Sequence, residues 1–161
     1  MTLQKRTLIT PSPAATAEVA MRLASLLKPS DVVLLEGGIG AGKSFLTRTL
    51  IQHCQDHPED VPSPTFTLVQ EYETNIGPVW HTDLYRLYGP DEVIELGLID
   101  AFEEALCFVE WPDRLNDLAP KDALTITLTP LQAEDSRSIE FTWTAGAWAS
   151  RLDPVFQDQW I

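Results

Sequence analysis

Apolar and polar residues follow three different rhythms along this chain, and each predicts a different kind of element. Helical spacing comes first. Val19, Leu23, Leu26 and Leu27 fall on one stripe of a segment running from Ser12-Pro13 to Leu27, with Ser12 as N-cap and proline at the first helical position. Phe45, Leu46, Thr49, Leu50 and Cys54 form a second helical stripe. The second rhythm is continuous. Val32–Leu35 and Leu106–Val109 are unbroken apolar runs, suited to strands buried on both faces. The third is alternation of period two. It marks Ala123–Thr129 and Ser138–Thr144, joined by a loop at Pro130–Arg137, as an antiparallel pair appended to the sheet. It also marks Ser63–Val69, with Phe66, Leu68 and Tyr72, as a half-buried strand. Across the turn at Asn75–Pro78, Val79–Asp83 is its hairpin partner.

The remaining segments are shorter. Arg6–Thr10 is β-like, and His53–Pro62 is a polar loop. Asp91 is placed to N-cap a helix ending at Leu96 with Gly97 as its stop, and Asp100–Ala105 adds another helical turn or two. Pro112 opens a short helix to Leu118. Trp148 and Leu152 cap one face by a helix, and Asp153-Pro154 starts a terminal turn carrying Val155, Phe156 and Trp160. Strands alternating with helical stripes predict an α/β fold: a sheet flanked by helices, with an antiparallel C-terminal strand pair. With 161 residues, no internal repeat, no low-complexity segment and no linker, one domain spanning 1–161 is expected.

Composition narrows the function classes. The chain carries 11 basic and 24 acidic residues, a net charge of −13, and the basic ones are scattered. That argues against direct, tight nucleic-acid binding, which needs a basic face. Solubility explains the acidity, and so does a basic protein partner; composition does not choose between them. Cys54 and Cys107 sit in apolar segments and read as reduced core residues. No apolar stretch follows Lys5-Arg6 and none approaches membrane-spanning length, so a cytoplasmic protein without membrane contact is expected.

The candidate chemistry lies where the Val32–Leu35 run meets Glu36-Gly37-Gly38-Ile39-Gly40-Ala41-Gly42-Lys43-Ser44. This matches G-x-x-x-x-G-K-[ST], the phosphate-binding P-loop, and its context of strand, loop and helix is the one the motif requires. Glycines let backbone N–H groups face an anion, and the following helix adds its N-terminal donors and dipole. Lys43 supplies a charge to the β- and γ-phosphates, and Ser44 a hydroxyl to Mg²⁺. The reading is a P-loop NTPase fold binding a nucleoside triphosphate through Gly38, Ile39, Gly40, Ala41, Gly42, Lys43, Ser44 and Phe45.

Hydrolysis needs a second metal ligand, a group that orients water and a segment that senses the γ-phosphate. Ligands in α/β sheets sit at the carboxyl ends of strands. Glu110 ends the Leu106–Val109 run as the acid of a Walker B strand does; its alternative role is a solvated carboxylate ahead of Pro112. Asp83 ends the Val79–Thr82 strand, and capping the Leu84–Leu87 turn is an equally good reading of its position. His81 reads as a packing or hydrogen-bonding residue. Thr65 stands at a loop-to-strand junction where a γ-phosphate sensor is expected, although Ser-Pro-Thr is also ordinary loop sequence.

Four blocks together resemble the bacterial TsaE (YjeE) family of tRNA threonylcarbamoyladenosine biosynthesis. They are Leu35–Ser44, Ser63-Pro64-Thr65-Phe66-Thr67-Leu68-Val69, His81-Thr82-Asp83-Leu84-Tyr85-Arg86-Leu87 and Val109-Glu110-Trp111-Pro112. The first is common to many P-loop proteins; the other three are specific in combination. The resemblance covers Thr16 to about Leu128. It implies a mixed-sheet P-loop ATPase, weak without partners, acting with TsaD and TsaB and meeting tRNA only indirectly. It also implies that Lys43 and Ser44 hold phosphate and Mg²⁺, that Asp83 and Glu110 organise Mg²⁺ and water, and that Thr65 lies in a switch-like segment. Trp111 is then near the nucleotide or a partner, or equally a core residue.

Two positions depart from the family pattern. Phe45 replaces a second threonine, removing a hydroxyl from the phosphate site. Ala20 stands where glycine is frequent, in the helix expected to wall the adenine pocket. The competing readings are a small-molecule or nucleotide kinase, against which no arginine-rich lid is found, and a binding module that the nucleotide merely stabilises. A GTPase lacks support because no Asn-Lys-x-Asp motif occurs.

Overall fold

The computed structural model describes residues 2–38, 40–64 and 67–157. Seven strands form one mixed sheet: β1 (Gln4–Thr10), β2 (Val32–Glu36), β3 (Val69–Thr74), β4 (Gly77–Asp83), β5 (Leu106–Glu110), β6 (Leu124–Pro130) and β7 (Arg137–Trp143). Their spatial order is β1-β7-β6-β2-β5-β4-β3. β6, β2, β5 and β4 run parallel in the middle, and antiparallel pairs close both sides.

The apolar runs sit where continuous hydrophobicity is needed. In β2, Val33 and Leu35 pack against α1 (Pro13–Ala24) and α2 (Lys43–His53). Val32 and Leu34 pack on the opposite face, with the helices α3 (Pro90–Glu95) and α4 (Leu98–Glu104). β5 divides likewise, with Leu106 and Phe108 on one side and Cys107 and Val109 on the other. Two-sided burial leaves no position for a polar residue until the strand ends. Phe108 and Phe141 are fully buried on the α1–α2 side. Truncating either to alanine costs about 3–5 kcal/mol.

Local signals set the boundaries. Ser12 caps α1, its Oγ accepting the Ala15 N–H at 3.2 Å. The helix stops at Ala24, three residues short of the expected Leu27, and Leu27 still reaches the core. Gly97, at φ +80°, ends α3 as expected. A 3-10 segment, Pro112–Leu118, follows β5, and a short helix α5 (Ala147–Arg151) leads to a final 3-10 turn at Asp153–Phe156.

Several expectations are corrected. The strand expected over Ser63–Val69 begins only at Val69, because Leu68 takes a left-handed conformation (φ +68°) that no strand accommodates. Thr65 and Phe66 lie outside the described residues. The buried face of α2 is Leu46, Thr47, Leu50 and Ile51; Phe45 and Thr49 stand at its flank, so the stripe is rotated from the predicted one. Asp91 does not cap α3: Gly89 is the N-cap, proline opens the helix, and Asp91 lies in its first turn. The β6–β7 pair is no appendage. β6 lies directly beside β2, and β7 joins β6 to β1.

Candidate phosphate-binding site

Sheet register brings the carboxylates together. Leu35 of β2 lies opposite Glu110 of β5, and Glu110 lies opposite Asp83 of β4. Within each strand, residues of one parity share a face. His81 and Asp83 therefore project to the side of Val79, and Glu110 to the side of Phe108, which is the side carrying α2. All three are buried. The backbone locks the strand ends together: Leu84 N–H donates to the Glu110 carbonyl at 3.1 Å, and Asp83 N–H to the Leu68 carbonyl at 3.0 Å.

The glycine-rich loop leaves β2 through Gly37, at φ +146°, and enters α2 through Gly42, at φ +106°. Gly37 has a steric reason as well. A Cβ there would stand 2.8 Å from the Leu128 carbonyl oxygen of β6. Gly42 is the N-cap of α2 and offers no capping side chain, so the first N–H groups of the helix keep their capacity for an external acceptor. Gly38 and Gly40 face open space. Ile39 lies outside the described residues.

Lys43 is the first residue of α2 and is 6% exposed. Its Nζ donates to the Gly37 carbonyl at 2.7 Å and stands 3.9 Å from the centroid of the Trp111 ring. Burial pushes its ammonium below the ordinary lysine range, and the Glu110 and Asp83 carboxylates pull it part of the way back. A cleft of about 310 Å³ opens here, lined by Gly40, Lys43, Ser44, Ser63, Asp83 and Glu110 among others. The P-loop residues, Asp83 and Glu110 are thus brought to one place. Thr65 lies outside the described residues.

Asp83 does serve the turn that follows it, Oδ1 accepting the Tyr85 N–H at 2.9 Å, and it lines the cleft as well. His81 is the hydrogen-bonding residue it was read as, and its partner is Glu110 itself. Nε2–H donates to Oε2 at 2.6 Å inside the core, a tautomer the acceptor carboxylate dictates.

Two more residues line the site: Trp111, which the resemblance put near the nucleotide or a partner, and Arg137, which left no trace in the sequence. Trp111 holds a left-handed conformation (φ +57°) that costs a residue with a Cβ about 1–2 kcal/mol. Its ring lies beneath Lys43 and 4.8 Å from the Tyr85 ring. Arg137, the first residue of β7, donates from Nε to the Ala41 carbonyl of the loop at 3.0 Å. A second cavity of about 230 Å³ lies beside it, between the loop and α1, lined by Pro13, Thr16, Phe45 and Asp135. Thus α1 does wall a pocket next to the loop, but through Pro13 and Thr16. Ala20, one turn further on, is sealed in the core.

Comparison with known proteins places this geometry. The family model described as threonylcarbamoyl adenosine biosynthesis protein TsaE matches residues 10–139. The tRNA threonylcarbamoyladenosine biosynthesis protein TsaE of Rickettsia felis is 34% identical over 149 residues, 86% of this chain and 87% of that protein. The Bacillus subtilis protein of the same name is 36% identical over 134 residues, 83% of this chain and 82% of its own. The crystal structure of Bacillus subtilis YdiB superposes with a TM-score of 0.77 at 28% identity, covering 98% of this chain and 97% of that one. The fold is accordingly the P-loop fold expected from the motif, and the resemblance read from four sequence blocks extends to nearly the whole molecule. The chain belongs to the TsaE family, the P-loop proteins of tRNA threonylcarbamoyladenosine biosynthesis.

Proposed function

We propose that this protein binds ATP or ADP with Mg²⁺ and hydrolyses ATP, slowly by itself, to support TsaD- and TsaB-dependent threonylcarbamoylation of a tRNA adenosine. One observation carries the reading: a buried lysine, a serine hydroxyl and two carboxylates converge on one cleft at the carboxyl ends of β2, β4 and β5. The donor set fits the ion. Among the described residues no group of three or more His, Cys, Asp or Glu could hold a metal alone. Mg²⁺ typically takes one or two carboxylates, a hydroxyl and the substrate's phosphates, keeping several waters. Ser44, Asp83 and Glu110 are the residues that would hold it, and when bound it neutralises phosphate charge.

The chain's own groups supply the rest. The loop N–H groups and the start of α2 cradle the phosphates. Lys43 leaves the Gly37 carbonyl to meet the β- and γ-oxygens. Glu110 orients the attacking water and accepts its proton. Its Oε2 is occupied by His81, leaving Oε1 for that water. The transition state is stabilised by position and charge, with no covalent intermediate. The −13 net charge suits a protein that reaches tRNA through partners.

Steady-state ATP hydrolysis, with and without TsaD and TsaB, tests this. Turnover that rises with the partners and falls at least about 100-fold in Glu110→Gln, with nucleotide affinity retained, is expected. Undiminished partner support by Glu110→Gln would show that bound nucleotide suffices.

A further inference from the structure

Six large hydrophobic residues are exposed among those described, and three of them, Tyr85, Tyr88 and Ile94, fall within one ten-residue stretch. Tyr88 is 95% exposed. The others are scattered: Leu3 and Ile9 at the first strand, and Leu131 after β6. Charge is concentrated at the same place. Between the exposed Arg86 of the loop and Arg114, which bonds the loop's carbonyls, there is no lysine, arginine or histidine, and there are eight carboxylates, of which Glu110 is the buried one in the site. On α3, Val93 is buried, while Asp91, Ile94 and Glu95 are exposed. Apolar and aromatic anchors within a predominantly acidic rim, here interrupted by Arg86 and Arg114, are the make-up of a protein interface, where the anchors contribute affinity and the rim selects the partner. A nucleic acid is the wrong occupant, since its phosphates would meet carboxylates.

The same stretch is fastened to the cleft. Asp83 Oδ1 holds the Tyr85 N–H, and the Tyr85 ring packs on Trp111, which lies under Lys43. From the 3-10 segment, Arg114 Nε donates to the Leu87 carbonyl at 2.8 Å. A protein seated on Tyr88 therefore bears on a loop whose other end carries a candidate metal ligand.

We propose that the shoulder formed by the 85–88 loop and α3 is the docking face for the basic surface of a partner protein, and that docking there couples to the nucleotide site through Asp83 and Trp111. The inference rests on the partner-supported hydrolysis proposed above.

The test titrates TsaD and TsaB into the full-length chain and reads both binding and ATP turnover, for wild type, Tyr88→Ala and the double variant Asp91→Lys/Glu95→Lys. All three substituted residues are exposed and lie outside the nucleotide machinery. Unchanged basal turnover and thermal unfolding are expected, with a half-saturating partner concentration raised at least tenfold. Raising salt should weaken wild-type association and affect the charge-reversed variant less. Variants that respond at the wild-type partner concentration overturn the docking face while leaving the proposed function standing. So does self-association of the chain that Tyr88→Ala abolishes. A wild type that neither binds nor responds to the partners overturns the proposed function, and the docking face with it.

Discussion

Replacing Lys43 by methionine keeps most of the side chain's apolar stem and deletes its charge. In the nucleotide-free protein this removes a hydrogen bond to the Gly37 carbonyl and a cation stacked on Trp111. A hydrogen bond from a charged donor contributes about 1.5–3 kcal/mol, and a cation over an indole about 0.5–2 kcal/mol. Against them stands the removal of an ammonium from water, which costs several kcal/mol. Burial holds the lysine below its ordinary range even though the Glu110 and Asp83 carboxylates pull it back, so burial outweighs them. The ammonium is then a net liability to the empty protein. Lys43→Met should equal or exceed wild type in unfolding free energy at pH 7, by up to about 2 kcal/mol. That corresponds to a rise of about 2–4 °C in melting temperature per kcal/mol for a chain of this size.

The pH dependence follows with a definite sign. The folded protein holds this lysine below its unfolded value, so wild type gains stability as pH rises through the folded value toward the unfolded one. The methionine variant lacks that gain, and the difference between the two proteins shrinks with alkalinity. Ligand response separates them in the opposite direction. Mg-ATP at a hundred times its dissociation constant adds about 2.7 kcal/mol, or about 5–10 °C, to wild type and nothing measurable to the variant. Thermal unfolding followed by circular dichroism, between pH 7 and 10 and with or without nucleotide, reads all three effects. A variant more than about 1 kcal/mol less stable than wild type at pH 7 would refute the reasoning, because Lys43 would then be an ordinary structural residue.

Three further outcomes are expected. Gly37→Ala forces a Cβ to within 2.8 Å of the Leu128 carbonyl oxygen at a left-handed φ, and urea unfolding should show a loss of about 2–3 kcal/mol. Arg137→Ala frees the Ala41 carbonyl and should weaken nucleotide binding by about tenfold in calorimetry with little change in melting temperature; Arg137→Lys should restore it only in part, since an ammonium lacks the planar fork. Burial raises the Cys54 thiol and pushes Cys107 up to about 12, so neither should react with a disulfide reagent at pH 8 until denaturant is added, when both should.

The parts of the molecule legible in the sequence are those governed by local rules. The P-loop, the Ser12 cap, the Gly97 stop and the two unbroken apolar strands each follow from neighbouring residues alone. Glu110 and Asp83 stand out as candidates because strands in α/β sheets carry ligands at one end, and the structure puts both at the cleft. What escaped was set by contacts between distant segments. Arg137 reaches the loop only because β6 lies beside β2 and β7 beside β6, and nothing near residue 137 encodes that order. The alternation at Phe66, Leu68 and Tyr72 suggested one continuous strand, yet a left-handed Leu68 interrupts it. Trp111 itself was named from the sequence, but its left-handed backbone was not, because the ring and charge packed against it lie more than twenty residues away. The rotated face of α2 reflects a buried Lys43, a polar residue that an apolar pattern does not count as inward-facing.

The position of β2 in the sheet has a consequence for how the protein comes into being. Its two hydrogen-bonding neighbours, β5 and β6, lie some seventy and ninety residues further along the chain, and the first strand pairs with the seventh, Gln4 opposite Trp143. During synthesis the phosphate loop leaves the ribosome well ahead of β5 and β6 and has no sheet to hold it until they have followed. Long-range pairing of this kind also makes closure slow. The nascent chain must therefore keep the apolar Val32–Leu35 segment out of aggregates for several seconds of translation, at about 5–20 residues per second. Nucleotide cannot assist folding over that interval, because its site is completed only by strands that are translated late.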